Sequence, residues 1–299
     1  MNPYVVSYPH DRITCSAATM LNESLSLYQC RHVAGFAHLP DDADGAIVIF
    51  HGQREAAKPH IAERLSDYVY SLRWVLFISL GDEGGDFPYS GLDHANMRLW
   101  IQTPKPGRAK ADRYLIEGYH PSTHSLMWRV ADHDRDMDWF FAGQANHARR
   151  NSCVAVLSAL DRGTLLATSG FQQGMPLADY YRHLSCAKVA PCPSGPLTPD
   201  SFRFAEALEA GAVPVLDAFA PDGVTGYWDL VIPGHPFRVV SDWATFPSVL
   251  SDLLAHFTAE QRIAQYWWRS YKLKMRQQWL PQDLLALGAC RSATAGGAL

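Results

Sequence analysis

The sequence predicts an α/β protein made of two Rossmann-like domains facing each other across a cleft. Three observations carry this. Short apolar runs alternate with helical stretches over the first hundred residues, and the alternation resumes after a basic, proline-containing interruption. The chain has 299 residues, 47% hydrophobic and 19% charged, enough for two packed cores.

The elements follow in order. YVVSY (4–8) reads as a strand running into the loop His10–Asp11, and ATMLNESLSLYQC (18–30) has helical spacing. AIVIF (46–50) is a strand ending in HGQRE, and KPHIAERLSDYVYSL (58–72) is a helix with Pro59 near its start. WVLFISL (74–80) is a strand ending in GDEGGDF. TPKPGRAKADRY (103–114) interrupts as a linker or long loop. Then come a strand DWFFAG (138–143), a helix over 145–163, a strand TLLATSG (164–170) and a helix over 176–187. A short buried strand KVAPCPSG (188–195), a helix SFRFAEALEAG (201–211), a strand AVPVLD (212–217) and a last strand FRVV (237–240) complete the second run. The expected domains are 1–115 and 116–257, then a helical segment 258–287 packing back across both and a flexible tail 288–299.

Composition excludes several classes. The net charge of −4 and pI near 6.3 give no global basic footprint for nucleic acid. The most apolar runs fall well short of the roughly 18 residues a membrane span needs. The first residues lack the pattern of a secretory leader. Six cysteines, at 15, 30, 153, 186, 192 and 290, form no CxxC, which suggests reduced thiols and a cytoplasmic protein. No HExxH or HxxxH pair has a context that suggests zinc.

The densest signal is PCPSGPLTPDSFRFAEALEAGAVPVLD (191–217). Thr198 is a plausible N-cap, Pro199 a first helical residue and Gly211 a C-terminal stop. A helix N-terminus behind a small-residue loop suits a phosphate by geometry and dipole. Arg203 can clamp a phosphate, and Glu206, one turn on, can accept two hydrogen bonds from a ribose diol. The same two residues also read as a solvated i,i+3 ion pair, and the local pattern leaves both readings open.

This run, SCAKVAPCPSG…PDSFRFAEALEAGAVPVL, resembles the C-terminal half of the exostosin-like glycosyltransferases. DWFFAGQANHARRNSCVAVLSAL and RYLIEGYHPST resemble that family's upstream segments, so the likeness covers about residues 112–217. The resemblance implies the two-domain B-type glycosyltransferase fold, a nucleoside-diphosphate sugar as donor (a UDP-sugar is expected), and inverting, metal-independent transfer. It implies that Glu206 binds the ribose, that Arg203 and Ser201 lie by the diphosphate, and that Ser194 and Gly195 face the donor. Arg149 or Arg150 would add positive charge for the leaving group. The absence of an N-terminal anchor points to a bacterial or phage enzyme of the cytoplasm.

Glycosyl transfer to a hydroxyl also needs a general base, expected from the first domain. His10–Asp11, His51 and the loop GDEGGDF offer one, with Glu83 and Asp82 the leading candidates because clustered carboxylates can raise a pKa. Each also reads as an ordinary turn or strand-end residue. DRDMD (134–138) holds a DxD pattern but precedes a strand, so it reads as a solvated turn rather than a metal site. YWWRSYKLKMRQQW (266–279) interleaves aromatic and basic residues; an amphipathic closing helix is the plainer reading, and base stacking the other. With the basic loop 104–113 it keeps a hydroxymethylated DNA base beside a glycan as acceptor. A non-catalytic nucleotide-binding module is the alternative function. No GxGxxG follows a predicted strand, which argues against an oxidoreductase.

Overall fold

The computed structural model describes residues 3–8, 16–51, 60–107, 110–127, 134–170, 174–223 and 225–289. The chain divides into two compact units: the first holds Met1–Gln102, Gly107–Leu115 and Tyr271–Leu299, the second Thr103–Pro106 and Ile116–Ser270.

The first unit carries a parallel sheet in the order β2-β1-β3-β4-β5-β6. Its strands are β1 (Tyr4–Tyr8), β2 (Arg31–Ala34), β3 (Gly45–His51), β4 (Trp74–Leu80), β5 (Met97–Gln102) and β6 (Arg113–Leu115). The central pair aligns Ile47 with Leu76 and His51 with Leu80. Central parallel strands are covered on both faces, so β3 and β4 are apolar almost without interruption. Helix α1 (Ser16–Leu25) follows β1, and α2 (His60–Ser71) buries Ile61, Leu65 and Val69, spaced four apart, in the core with Val48, Phe50 and Phe77. Two strands of this sheet lack the apolar run that marks the others. β2 is a mostly exposed edge, RHVA, and β6 is three residues at the opposite edge.

The second unit repeats the design with β7 (Met137–Gln144), β8 (Gly163–Thr168), β9 (Ala187–Cys192), β10 (Val213–Asp217) and β11 (Arg238–Val240), all parallel, in the order β11-β10-β9-β7-β8. Its helices are α3 (Thr123–Leu126), α4 (Ala148–Leu157), α5 (Leu177–Cys186), α6 (Phe202–Ala210), α7 (Tyr227–Val231), α8 (Phe246–Ala255) and α9 (Phe257–Lys274). α4 is shorter than the helix expected over 145–163. The chain turns after Leu157 and passes through Arg162 at φ 59° before β8.

The aromatic and basic stretch 266–279 is not one continuous helix. α9 gives way to a π-turn over Met275–Trp279 and then α10 (Leu280–Ala286). Trp268, Tyr271 and Met275 are buried and Trp267 packs against Phe204 and Phe237, while Tyr266 stands out at 76% exposure. In the first unit, the buried Asp283 of α10 accepts from Trp100 Nε1 at 2.8 Å and Arg113 Nε at 3.2 Å, tying the sheet's edge to the last helix. Among the described residues, no helix is long and apolar enough to cross a membrane.

Strand order fixes where each sheet opens. In the second unit the chain runs β7 to β8 on one side, then returns to lay β9 on the other side of β7. This is a switch point, and the crevice beyond the carboxyl ends of β7 and β9 is where such sheets hold ligands. In the first unit β1 lies between β2 and β3, so the equivalent crevice lies beyond β1 and β3.

The DxD reading needs correction. Asp134 and Asp136 are exposed, but Asp138 lies inside β7, buried, accepting from Arg162 Nε at 2.8 Å and Lys188 Nζ at 3.0 Å. Arg135 between them is also buried and donates to Ala187 O at 2.7 Å and Ala210 O at 2.6 Å. The segment ties β7 to the start of β9 and the end of α6 rather than forming a solvated turn.

Candidate functional site

The second unit's switch point gathers the loop after β9, the start of α6 and the end of β7. The helix starts later than its sequence suggests: Ser201, not Thr198, occupies the N-cap, with an extended backbone and no capping hydrogen bond from its side chain. Asp200 holds the loop instead. Its carboxylate accepts from the backbone N–H of Ser201 at 2.8 Å, that of Glu117 at 2.7 Å and the hydroxyl of Tyr227 at 3.0 Å. Gly211 closes α6 in the left-handed conformation, φ 76°, as its position predicts.

Arg203 and Glu206 are both buried, so the solvated-pair reading does not describe them. Arg203 donates Nε to Ala142 O at 3.0 Å, and its guanidinium lies 5.3 Å from the ring centre of Phe141 and 4.9 Å from that of Phe202. It presses on Gly143, where a Cβ would come within 1.9 Å of Nη2. Glu206 accepts from the hydroxyls of Tyr180 and Tyr181, each at 2.8 Å. Tyr181 spends its proton there and so accepts from Thr123, 2.7 Å away. Burial raises the Glu206 pKa, while hydrogen bonds from Tyr181 and Tyr180 and then the Arg203 charge pull the other way. Neither tyrosine nor Thr123 was legible as a partner, because the contacts join separate helices.

Four polar groups here are buried without a hydrogen-bond partner: the hydroxyls of Ser194, Thr198 and Ser201, and Nη1 of Arg203. A buried unsatisfied group costs about 1–3 kcal/mol, so folded chains rarely collect several in one place without a use. All are hydrogen-bond donors, and they lie within ten residues, behind a helix N-terminus. Ser194, Ser201 and Arg203 were expected by the sequence; Thr198 was read only as a cap.

The other expected donor residues are tied into the framework. Arg149 pairs bidentately with Asp217 and donates Nη1 to Ser241 O at 3.0 Å. Arg150, buried, donates Nε to Ser194 O at 2.9 Å. Gly195 donates its N–H to Asp200 O at 3.2 Å. Asp217, at the end of β10, is fully buried and was not singled out by the sequence.

In the first unit, Asp82 is buried and turned into its own loop. It accepts from the backbone N–H of Asp86 at 3.1 Å and Phe87 at 3.2 Å, and from the Tyr89 hydroxyl at 2.8 Å. Burial raises its pKa, and these hydrogen bonds partly offset that. Glu83 beside it is half-buried and follows β4. His51, half-buried, ends β3 at the edge of that unit's switch point. His10 and Asp11, which follow β1, lie outside the described residues. Among the described residues, no group of three or more His, Cys, Asp or Glu could hold a metal ion.

The two parallel Rossmann-like sheets, each with its switch point, match the B-type glycosyltransferase fold of two solved structures. The chain is similar over 96% of its length to the whole of a sucrose-phosphate synthase from Thermosynechococcus elongatus, with a TM-score of 0.53 and 13% identity. It is similar over the same share to the whole of the DNA modifying enzyme β-glucosyltransferase, whose structure was determined with and without the substrate uridine diphosphoglucose, with a TM-score of 0.50 and 10% identity. No family model and no curated protein matches the chain.

Proposed function

We propose that the protein is a glycosyltransferase that moves a sugar from a nucleoside-diphosphate sugar, with a UDP-sugar as the expected donor, to a hydroxyl acceptor. The observation that carries this is the set of four unpartnered buried donors at the β7/β9 switch point, behind the N-terminus of α6. A diphosphate supplies the acceptor oxygens that all four lack. In the transfer, Arg203 and the helix N-terminus stabilise the charge that develops on the departing nucleoside diphosphate. Glu206 takes the ribose through what its two tyrosines and the His120 backbone N–H leave of the roughly four acceptor positions of a carboxylate. The exostosin-like pattern over 112–217 and the fold relationship to an enzyme of uridine diphosphoglucose support the same reading.

The transfer is proposed to be inverting and metal-independent, with the base drawn from the first unit. His51 is favoured over Glu83 and Asp82, because it ends a strand at the switch point whereas Asp82 is occupied in closing its own loop. The acceptor is a glycan or a hydroxymethylated DNA base; a structural neighbour that modifies DNA keeps the second in view.

The test is to incubate the protein with nucleotide sugars and either oligosaccharides or hydroxymethylated DNA, and to follow nucleoside diphosphate release and sugar incorporation. One donor and acceptor pair should turn over, and turnover should persist in excess chelator. Nucleotide binding without turnover on either acceptor class favours a nucleotide-binding module of the same fold.

A further inference from the structure

Resting on the donor-site reading, we infer that Asp217 is the positioning residue of the donor loop, and that Arg149 acts through it rather than on the phosphates. Asp217 takes donors from four elements: Arg149 Nε and Nη2 from α4, the backbone N–H of Ser194 at 3.2 Å from the loop after β9, the N–H of Phe219 at 3.2 Å after β10, and Trp243 Nε1 at 3.0 Å before α8. A carboxylate with no solvent exposure is costly to bury unless its oxygens are satisfied, and this set satisfies them.

The consequence falls on Ser194. Asp217 grips its N–H, and Arg150 grips its carbonyl at 2.9 Å. The backbone of this one residue is thus fixed from both sides, and its unpartnered hydroxyl is aimed by the clamp. Arg149 meanwhile engages all three guanidinium nitrogens, two on Asp217 and one on Ser241 O. Its charge is balanced by Asp217, whereas Nη1 of Arg203 is buried without a partner and is left for the ligand. Phosphate contact and loop placement are therefore divided between different arginines.

The sign of one substitution separates the two roles. If Arg149 contacted phosphate, Asp217→Asn would unmask its positive charge and tighten nucleotide binding. If the pair positions the loop, the same change weakens it. The experiment is calorimetric binding of UDP, ADP, GDP and TDP to the wild type, followed with the tightest of these for Asp217→Asn, Arg149→Gln, the double variant and Ser194→Ala. We expect a rise in Kd of about ten-fold or more for each single variant, as for loss of a hydrogen bond that fixes a charged ligand. The double variant should be no weaker than the worse single one, because the two act as a unit. Ser194→Ala should weaken binding without lowering the Tm, since its hydroxyl has no partner to lose. For the transfer reaction, Ser194→Ala should raise the KM for the nucleotide sugar more than it lowers kcat. Tighter or unchanged binding in Asp217→Asn overturns the inference, as do additive losses in the double variant. Should Asp217→Asn fail to fold, Ser194→Ala decides alone, and unchanged binding there overturns it. A wild type that binds none of the four nucleotides overturns the donor-site reading, and this inference with it.

Discussion

Arg203 and Gly143 occupy one space: a Cβ on the glycine would lie 1.9 Å from Nη2 of the arginine. The guanidinium reaches its place because the next-to-last residue of β7 has no side chain. There it bonds Ala142 O and lies against the rings of Phe141 and Phe202. Gly143→Ala must push the arginine away. The expected cost is about 1–3 kcal/mol of stability, as for other overpacked sites. Nucleotide affinity should fall with it, while Gly174→Ala, where a Cβ meets nothing within 4 Å, serves as control. Melting curves with and without nucleotide check both.

Glu206 makes stability depend on pH in a definite direction. Burial raises its folded-state pKa above the ordinary 4.5, so the folded chain holds the proton more tightly than the unfolded chain. The stabilisation from that proton is complete below about 4.5 and is lost as pH rises through the folded-state value. Glu206→Gln lacks the titration. The difference in unfolding free energy, wild type minus variant, should therefore shrink as pH rises from 4 toward neutrality; a difference that grows would contradict the assignment.

The candidate bases part company by what they hold up. Asp82→Asn removes an acceptor from two backbone N–H groups and Tyr89, and should lower the Tm. His51→Asn should leave nucleotide affinity in place and lower kcat by about 10²–10⁴-fold, the usual contribution of a general base. Equal losses of kcat in His51→Asn and Glu83→Gln would speak against a single base.

The DRDMD segment offers a separation of structure from metal chemistry. Arg135→Met strips the donors from two backbone carbonyls and should cost about 2–4 kcal/mol. Asp134→Ala and Asp136→Ala, both at exposed positions, should change stability by less than about 0.5 kcal/mol and leave turnover unaltered. Steady-state rates with added magnesium or manganese complete the comparison.

Much of the second unit was readable because its strands are apolar runs bounded by punctuation. VPVL follows Gly211, and KVAPC precedes the small-residue loop. The edge strands β2 and β6 were not readable, since an edge takes its shape from one neighbour and needs no apolar run. β5 was missed although it is largely buried. The loop 81–96 before it carries turn residues and a 3-10 turn at Tyr89–Leu92, where a helix would mark a crossover. At the site, Arg203, Ser194 and Ser201 stood out because one short segment carries them. Asp217, Tyr180 and Tyr181 did not, because their importance comes from partners 23 to 68 residues away. Arg149 and Arg150 illustrate the limit: sequence marks them as cations near the loop but not that each bonds the framework.

The most direct measurement is thermal stabilisation of the wild type and of Arg203→Met by a panel of nucleoside diphosphates and nucleotide sugars. At a hundred times its Kd, a ligand adds about 2.7 kcal/mol to the unfolding free energy, a readily seen shift in Tm. The account predicts that one nucleotide, UDP or a UDP-sugar, stabilises the wild type and that Arg203→Met loses most of that shift. A panel that moves neither protein, or moves both equally, contradicts the assignment of the β9–α6 loop as a donor site.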